Sequence, residues 1–387
     1  MHTRILVVDD EPDLELLISQ KYRKQIRNRE IAFIFASDGV DALEKLEQEN
    51  EVDMILTDIN MPRMDGLTLL ANINEKYPQL KSVIVSAYGD MTNIRTALNR
   101  GAFDFLTKPI DFQDLEITIR KTLEQVHLLK RAISDRDHLV AIQNELEVAR
   151  RIQEAILPQN FPPFPEHSEF ELHASMNAAK KVGGDFYDFF MIDEDHLGFA
   201  IGDVSGKGVP AAIFMAVSRA LLKATALRGV SPHECLLQVN RLLQSENSTS
   251  MFVTVFYAIL ELSSGIVEFS NGGHNPPYLL KNKGEIAQLE LTNNFVLGAF
   301  AMSSYQSKKV QMNKGDSLIL YTDGVTEANN QQGNQFSESG LQECLVNMNG
   351  QSAEEIVDIV FNKVLEYSGS TSQSDDITVL ALKYMGS

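Results

Sequence analysis

The 387-residue sequence predicts two folds in series: an α/β doubly wound domain on a five-stranded parallel sheet, then an α+β β-sandwich flanked by helices. A linking helix joins them. Three observations carry this expectation. Short apolar runs alternate with helical patterns five times within the first 120 residues. From Lys121 until Pro158 there is neither Gly nor Pro, and apolar residues recur at helical spacing. Beyond it, longer strand-like runs alternate with turns rich in Gly, Asn and Asp, the grammar of antiparallel pairing. The expected divisions are 1–120, 121–159 and 160–387.

In the first domain the runs Ile5–Val8, Ile31–Phe35, Met54–Leu56, Ser82–Val85 and Phe103–Leu106 have the length of buried parallel strands. Helical patterns begin near Pro12, Asp38, Asp65, Asp90 and Asp111. Ligands of such sheets sit beyond the carboxyl ends of the strands. Asp9 and Asp10 follow the first run, Asp58 the third, Ser86 the fourth and Lys108 the fifth. Three carboxylates converging there would repel one another unless a divalent cation bound them, and Lys108 adds a second compensating charge. A carboxylate held in this way is a nucleophile towards a phosphoryl donor. Any one of these residues alone reads as ordinary turn or loop chemistry. Their common position at strand ends is the argument.

The linking stretch places Val126, Leu129, Ile133 and Val140 on a heptad seam, interrupted by Arg136. The seam restarts through Leu139, Ile142, Leu146 and Ala149, a stutter that predicts a self-pairing coiled coil and a homodimer. The alternative is a connector helix packed on its own domain. Pro158, Pro162, Pro163 and Pro165 end the helix.

In the last domain, strand-like runs fall at Phe186–Ile192, Leu197–Ile201, Phe252–Leu262, Ile266–Ser270, Ser317–Tyr321 and Ile377–Leu382. Helices are expected at Ala211–Leu227, Pro232–Gln244 and Ala353–Tyr367. Four aspartates stand in turn-like segments: Asp185 in VGGDFYD, Asp203 in IGDVSGKG, Asp323 in YTDGVTEA and Asp375 in SDDITVL. Hard divalent cations such as Mg²⁺ and Mn²⁺ prefer carboxylate oxygens, so together these predict a two-metal hydrolytic site. Glycine beside the acids lets backbone approach a metal or phosphate closely.

Residues 1–120 resemble a response-regulator receiver domain through VVDDE, TDINMPRMDG, VSAYGD and FLTKPI. The resemblance implies Asp58 as phospho-acceptor and a Mg²⁺ ion held by Asp9, Asp10, Asp58 and the Asn60 carbonyl. It makes Ser86, Phe105 and Lys108 the switch residues, with Phe105 lacking the hydroxyl of a Tyr at the rotating aromatic position. It also implies a sensor histidine kinase as partner. From about Leu146 to Lys383 the chain resembles the metal-dependent PPM (PP2C-like) serine/threonine phosphatases of the SpoIIE/RsbU type. GGDFYD, GDVSGKG, NGGHNPP, YTDGVTEA and the helix ending ARRIQEAILP carry that likeness. It implies Asp203 bridging two Mn²⁺ or Mg²⁺ ions, with Asp185 and the Val204 carbonyl on one side and Asp323 and Asp375 on the other. Asp376 is the alternative to Asp375. The implied reaction is direct hydrolysis of a phosphomonoester by a metal-acidified water, on a phosphorylated anti-sigma antagonist of the STAS type. Lys207 stands where many members have His, in a position to meet substrate phosphate. His274 in GGHNPP is expected to be structural, because hard-ion sites favour oxygen.

Composition bounds the rest. The formal charge is −19, divided as −7 over residues 1–120, zero over 121–159 and −12 over 160–387, which argues against nucleic acid as partner. Cys235 and Cys344 are too few for a disulfide framework or thiolate metal site. No uninterrupted run of eighteen apolar residues offers a membrane span, and the N-terminus lacks a secretory layout, so a cytoplasmic protein is expected. Two function classes stand: a phosphatase set by phosphorylation of Asp58, and a binding module that sequesters a partner. The four intact aspartates favour the enzyme. The direction of control, activation or repression, is left open by the residues.

Overall fold

The computed structural model describes residues 3–48, 51–87, 90–246, 250–292, 294–346 and 348–386. Two compact units, Met1–Ile142 and Gln143–Ser387, share no sheet. Tyr88 and Gly89 of the VSAYGD segment lie outside the described residues.

The first unit runs β1 (Thr3–Val8), α1 (Pro12–Lys21), α2 (Arg23–Arg27), β2 (Ile31–Ala36), α3 (Gly39–Gln48) and β3 (Met54–Asp58), then α4 (Gly66–Lys76), β4 (Lys81–Ala87), α5 (Met91–Asn99), β5 (Asp104–Lys108) and α6 (Phe112–Ile156). The strands are all parallel in the order β2-β1-β3-β4-β5, the doubly wound sheet that the spacing predicts. Alternate strand residues serve opposite faces. Ile5, Val7, Leu56 and Val83 pack with Leu115 and Ile119, whereas Leu6, Val8 and Ile55 pack with Leu69 and Ile73. Burial on both faces explains why these strands read as continuous apolar runs.

The helix expected near Asp111 and the linking helix are one 45-residue element, since no Gly or Pro interrupts residues 112–156. Val126, placed on the self-pairing seam by sequence, is instead buried within its own unit, and Lys130 beside it binds Asp53 at 2.6 Å. The seam residues further along, Leu139, Val140 and Ile142, are exposed.

The second unit continues with β6 (Phe170–Asn177), β7 (Phe186–Met191), β8 (His196–Val204), α7 (Val209–Ala226), α8 (Pro232–Glu246), β9 (Val253–Glu261) and β10 (Ile266–Gly272). There follow β11 (Tyr278–Leu280), β12 (Ile286–Gln288), β13 (Ser307–Gln311), β14 (Ser317–Tyr321), α9 (Asp323–Thr326), α10 (Ser337–Leu345), α11 (Ala353–Ser368) and β15 (Ile377–Tyr384). Two antiparallel sheets result, β13-β10-β9-β8-β7 and β12-β11-β14-β15-β6. Period-two alternation builds the layers: Leu318, Leu320, Leu380 and Leu382 fill the space between the sheets, and Ile319, Tyr321, Val379 and Ala381 face α10 and α11. Helices α7 and α8 cover the other sheet through Ala211, Met215, Leu222, Leu236 and Val239. This is the predicted α+β sandwich with outer helices. By length and composition α7 would suffice to cross a membrane, with mean hydropathy 1.4, yet it lies on β7 and β8 and carries Arg219 and Lys223. An ion pair between Arg219 and the fully buried Asp188 of β7, at 3.0 Å, pins it there.

Candidate functional site

In the first unit the carboxyl ends of β1, β3, β4 and β5 bring the predicted residues together. Asp9, Asp10 and Asp58 each present a carboxylate oxygen within 4.8 Å of the others. Lys108 reaches all the way across the group: its Nζ lies 2.8 Å from Asp58 Oδ2 and 3.0 Å from both Asp9 Oδ2 and Glu11 Oε1. Partial burial opposes the charge on Lys108, but its bonds to Asp58, Asp9 and Glu11 win and raise its pKa. Burial raises the pKa of Asp9 against the lowering effects of the Glu11 N–H and Lys108. Three hard oxygens around one point fit a divalent cation such as Mg²⁺. The Asp58 Oδ1 accepts from the Ile59 amide at 2.7 Å, leaving the carboxylate oriented by backbone and lysine together. Gly66 is required by close approach, because a Cβ there would stand 2.1 Å from the Asp58 carbonyl oxygen. Ser86 is fully buried at the end of β4, Phe105 is half-buried against Ile84 and Ala97, and Asn60 is exposed beyond β3. Glu11, the third partner of Lys108, carries no signal of its own in the sequence, since it continues the acidic run of Asp9 and Asp10.

The second unit assembles its acids at one end of the sandwich. Asp203 is near the end of β8, Asp185 just before β7, Asp323 after β14 and Asp375 before β15, and antiparallel pairing of β7 with β8 and of β14 with β15 brings these ends together. Asp185 is buried, and its Oδ2 accepts hydroxyl hydrogen bonds from Thr322 at 2.7 Å and Thr378 at 2.6 Å. Burial, followed by the charges of Asp203 and Asp376, drives its pKa well above the usual carboxylate range. Burial and then the Asp323 charge push Asp203 up to about 7. Asp323 rises for the same first reason, with Glu327 and Asp375 adding to it. Such a cluster is unstable as a set of bare anions, and its all-oxygen donors suit Mg²⁺ or Mn²⁺. The donor chemistry of these four residues is that of the ions the resemblance implies.

Asp375 and Asp376 have different surroundings. Asp376 is buried and already committed: its Oδ1 accepts from the Ala179 amide at 2.8 Å and its Oδ2 from the Gly184 amide at 2.6 Å. Asp375 is part-exposed, and its Oδ2 meets Lys207 at 2.7 Å. Lys207 therefore turns onto a candidate ligand and the Ser374 carbonyl, not outward towards a substrate phosphate. The glycines here act by proximity. A Cβ on Gly183 would strike the Asp376 carboxylate at 2.3 Å, and one on Gly184 would lie 2.8 Å from the Val204 carbonyl oxygen. Gly206 and Gly208 meet a different need, with φ of 91° and 81° in the turn that leads from Val204 into α7.

Two further residues frame this loop. Gln153, near the end of α6, is buried and forms a paired contact with Gly183, donating to its carbonyl at 2.7 Å and accepting from its amide at 3.0 Å. His274 is buried, receives the Thr254 hydroxyl at 2.9 Å on Nδ1 and donates from Nε2 to the Tyr321 carbonyl at 3.1 Å. It is a structural post between β9, β10 and β14, as expected. Burial lowers its pKa to about 4. The sequence motifs do not mark Gln153, Thr322, Thr378 and Asp188 as site residues, although Thr322 and Thr378 are the threonines of TDG and DDIT.

A family model for stage II sporulation protein E (SpoIIE) matches residues 193–385, and one for the response regulator receiver domain matches residues 5–120. The SpoIIE match begins after Asp185. Protein IcfG of Synechocystis sp. is 31% identical over 265 residues, covering 62% of this chain and 41% of that protein. The phosphoserine phosphatase RsbU of Bacillus subtilis is 28% identical over 243 residues, covering 62% of this chain and 70% of RsbU. The chain thus spans less than half the length of IcfG. The solved SiaA-PP2C domain of Pseudomonas aeruginosa shares the fold, with a TM-score of 0.57 at 23% identity over 64% of this chain and 98% of that domain.

Proposed function

We propose that this chain, whose two parts match the models for a response regulator receiver domain and for SpoIIE, removes phosphoryl groups from a serine or threonine of another protein under control of Asp58. One observation carries the reading: Asp185, Asp203, Asp323 and Asp375 share one end of the sandwich, where burial and neighbouring carboxylates raise the pKa values of the first three. Two bound Mg²⁺ or Mn²⁺ ions would supply an acidified water and neutralise phosphoryl oxygens. The chain's own residues do the rest. Asp203 and Asp185 offer adjacent carboxylates, the Val204 carbonyl faces the same loop, and Thr322 with Thr378 fixes Asp185 Oδ2. We assign Asp375 as the remaining ligand: it is part-exposed, whereas Asp376 is buried with both oxygens on the backbone amides that shape the Gly184 loop.

Control begins at the receiver. A sensor histidine kinase would deliver the phosphoryl group to Asp58, where Lys108 and a Mg²⁺ on Asp9, Asp10 and the Asn60 carbonyl balance its charge. Ser86 and Phe105 would report it. The exposed apolar residues Leu139, Val140 and Ile142 support pairing of α6 between two copies, and Gln153 near the end of that helix touches the Asp185 loop directly. Pairing and activity are thereby coupled. The substrate we favour is a phosphorylated STAS-type anti-sigma antagonist in the cytoplasm, by analogy with RsbU as a phosphoserine phosphatase. The test is Mn²⁺-dependent hydrolysis of a serine-phosphorylated STAS-domain protein, with and without phosphorylation of Asp58. Turnover that ignores Mn²⁺, or that is the same in both states of Asp58, contradicts the corresponding half of the proposal.

A further inference from the structure

We infer that the loop carrying Phe295, Phe300 and Met302 is the docking surface for the folded phosphoprotein substrate, an inference that rests on the phosphatase reading above. The loop's position follows from strand register. On one side Val253 of β9 pairs with Val204 of β8, beside Asp203; on the other it exchanges backbone hydrogen bonds with Leu297 at 3.0 and 2.9 Å. Strand β10 stops pairing at Gly272, opposite Val255, and Leu297 takes its place at the acidic end of the sheet. Two strand spacings separate Leu297 from Val204, roughly 10 Å. A specific interface covers about 800 Å² on each partner, a patch of roughly 16 Å radius. A folded protein that presents a phosphoserine to the four aspartates must therefore cover this loop.

The loop's chemistry is that of an interface centre. Phe295 and Phe300 are 62% and 56% exposed and touch each other edge to face, with ring centroids 5.6 Å apart; Met302 is 99% exposed. In a chain that is 22% charged, no charged residue occurs between Glu290 and Lys308. Interface cores are depleted of charge and enriched in Phe and Met, and apolar patches next to a cleft mark partner sites. The loop is also held in place. The buried Asn240 of α8 accepts from the Gly298 amide at 2.8 Å and donates to the Phe300 carbonyl at 3.0 Å, so the aromatic pair stands on a fixed backbone. A preformed apolar anchor loses little entropy on binding. The net charge of −12 on residues 160–387 disfavours an anionic membrane as the occupant.

The experiment compares two substrates, a serine-phosphorylated STAS-domain protein and p-nitrophenyl phosphate, on the wild type, the double variant Phe295→Ala/Phe300→Ala, and Met302→Asp. Met302 has no packing role to lose. The expected result is a KM for the phosphoprotein raised about tenfold or more in the double variant and several-fold in Met302→Asp, with hydrolysis of p-nitrophenyl phosphate unchanged. The inference is overturned by an unchanged phosphoprotein KM in both variants, by a parallel fall on both substrates, or by a wild type with no preference for the phosphoprotein. A change of oligomeric mass in the variants, read by light scattering, also overturns it by assigning the loop to self-association. Absent p-nitrophenyl phosphate hydrolysis in the wild type would strike the phosphatase reading itself, and this inference with it.

Discussion

Acidification should weaken the second unit through His274. The folded imidazole is walled in between Thr254 and the Tyr321 carbonyl and takes a proton only near pH 4, because burial disfavours its charge. An unfolded histidine takes one near its ordinary value of 6.5. Between these values the unfolded state binds more protons, so stability falls as pH falls. At ~1.36 kcal/mol for each pH unit of displacement, the loss approaches about 3 kcal/mol between neutrality and pH 4. The group is fully buried, so solvent screening does not reduce it. Other titrating groups are removed by comparison with His274→Gln, whose amide can still donate to the Tyr321 carbonyl and accept from Thr254. The assay is native-state hydrogen exchange of the β14 amides in chelator from pH 7 to pH 4, corrected for intrinsic rates. The wild type should lose about 3 kcal/mol relative to the variant over that range. Parallel pH profiles for the two proteins would refute the reasoning.

Other perturbations separate the roles of neighbouring groups. Gln153→Ala removes both hydrogen bonds to Gly183 and should cost about 1–3 kcal/mol in denaturant unfolding of the second unit, while raising the Mn²⁺ concentration needed for half activity. Thr378→Val leaves Asp185 Oδ2 with one hydroxyl donor in place of two, and titration calorimetry should show Mn²⁺ affinity reduced about tenfold or more. Lys207→Ala frees Asp375 from its ion pair, so the same titration should show tighter Mn²⁺ binding. Lys108→Ala leaves Asp9 and Asp58 without their shared cation and should abolish phosphorylation of Asp58 by acetyl phosphate, read by mobility shift on a phosphate-affinity gel.

The doubly wound sheet was legible because burial on both faces wrote its strands as unbroken apolar runs, such as Met54–Leu56 within β3. The sandwich was legible in its long apolar strands. Strands β7, β8, β9, β10, β14 and β15 were visible, whereas the other three edge strands were not: β13 carries Lys308 and Lys309, β12 has three residues, and β6 alternates without β-branched residues. The four aspartates were legible as a group because each sits in a Gly- or Asp-rich turn, and the fold then brought those turns to one end. Their supports were not legible. Asp376 organises the Gly183–Gly184 loop through backbone amides nearly two hundred residues away, and Gln153 reaches the same loop from α6. Such contacts have no local pattern in the sequence. Val126 shows the converse, a seam residue by periodicity that its own unit had already covered.

Asp203 and its partners are proposed to form a two-metal phosphatase centre. Its most direct measurement is phosphate release from a serine-phosphorylated STAS-domain protein across a Mn²⁺ titration, for the wild type and Asp203→Asn. The wild type should reach a saturable rate with Mn²⁺, and the variant should fall by about a hundredfold or more at every concentration. Equal rates in the two proteins would contradict the account.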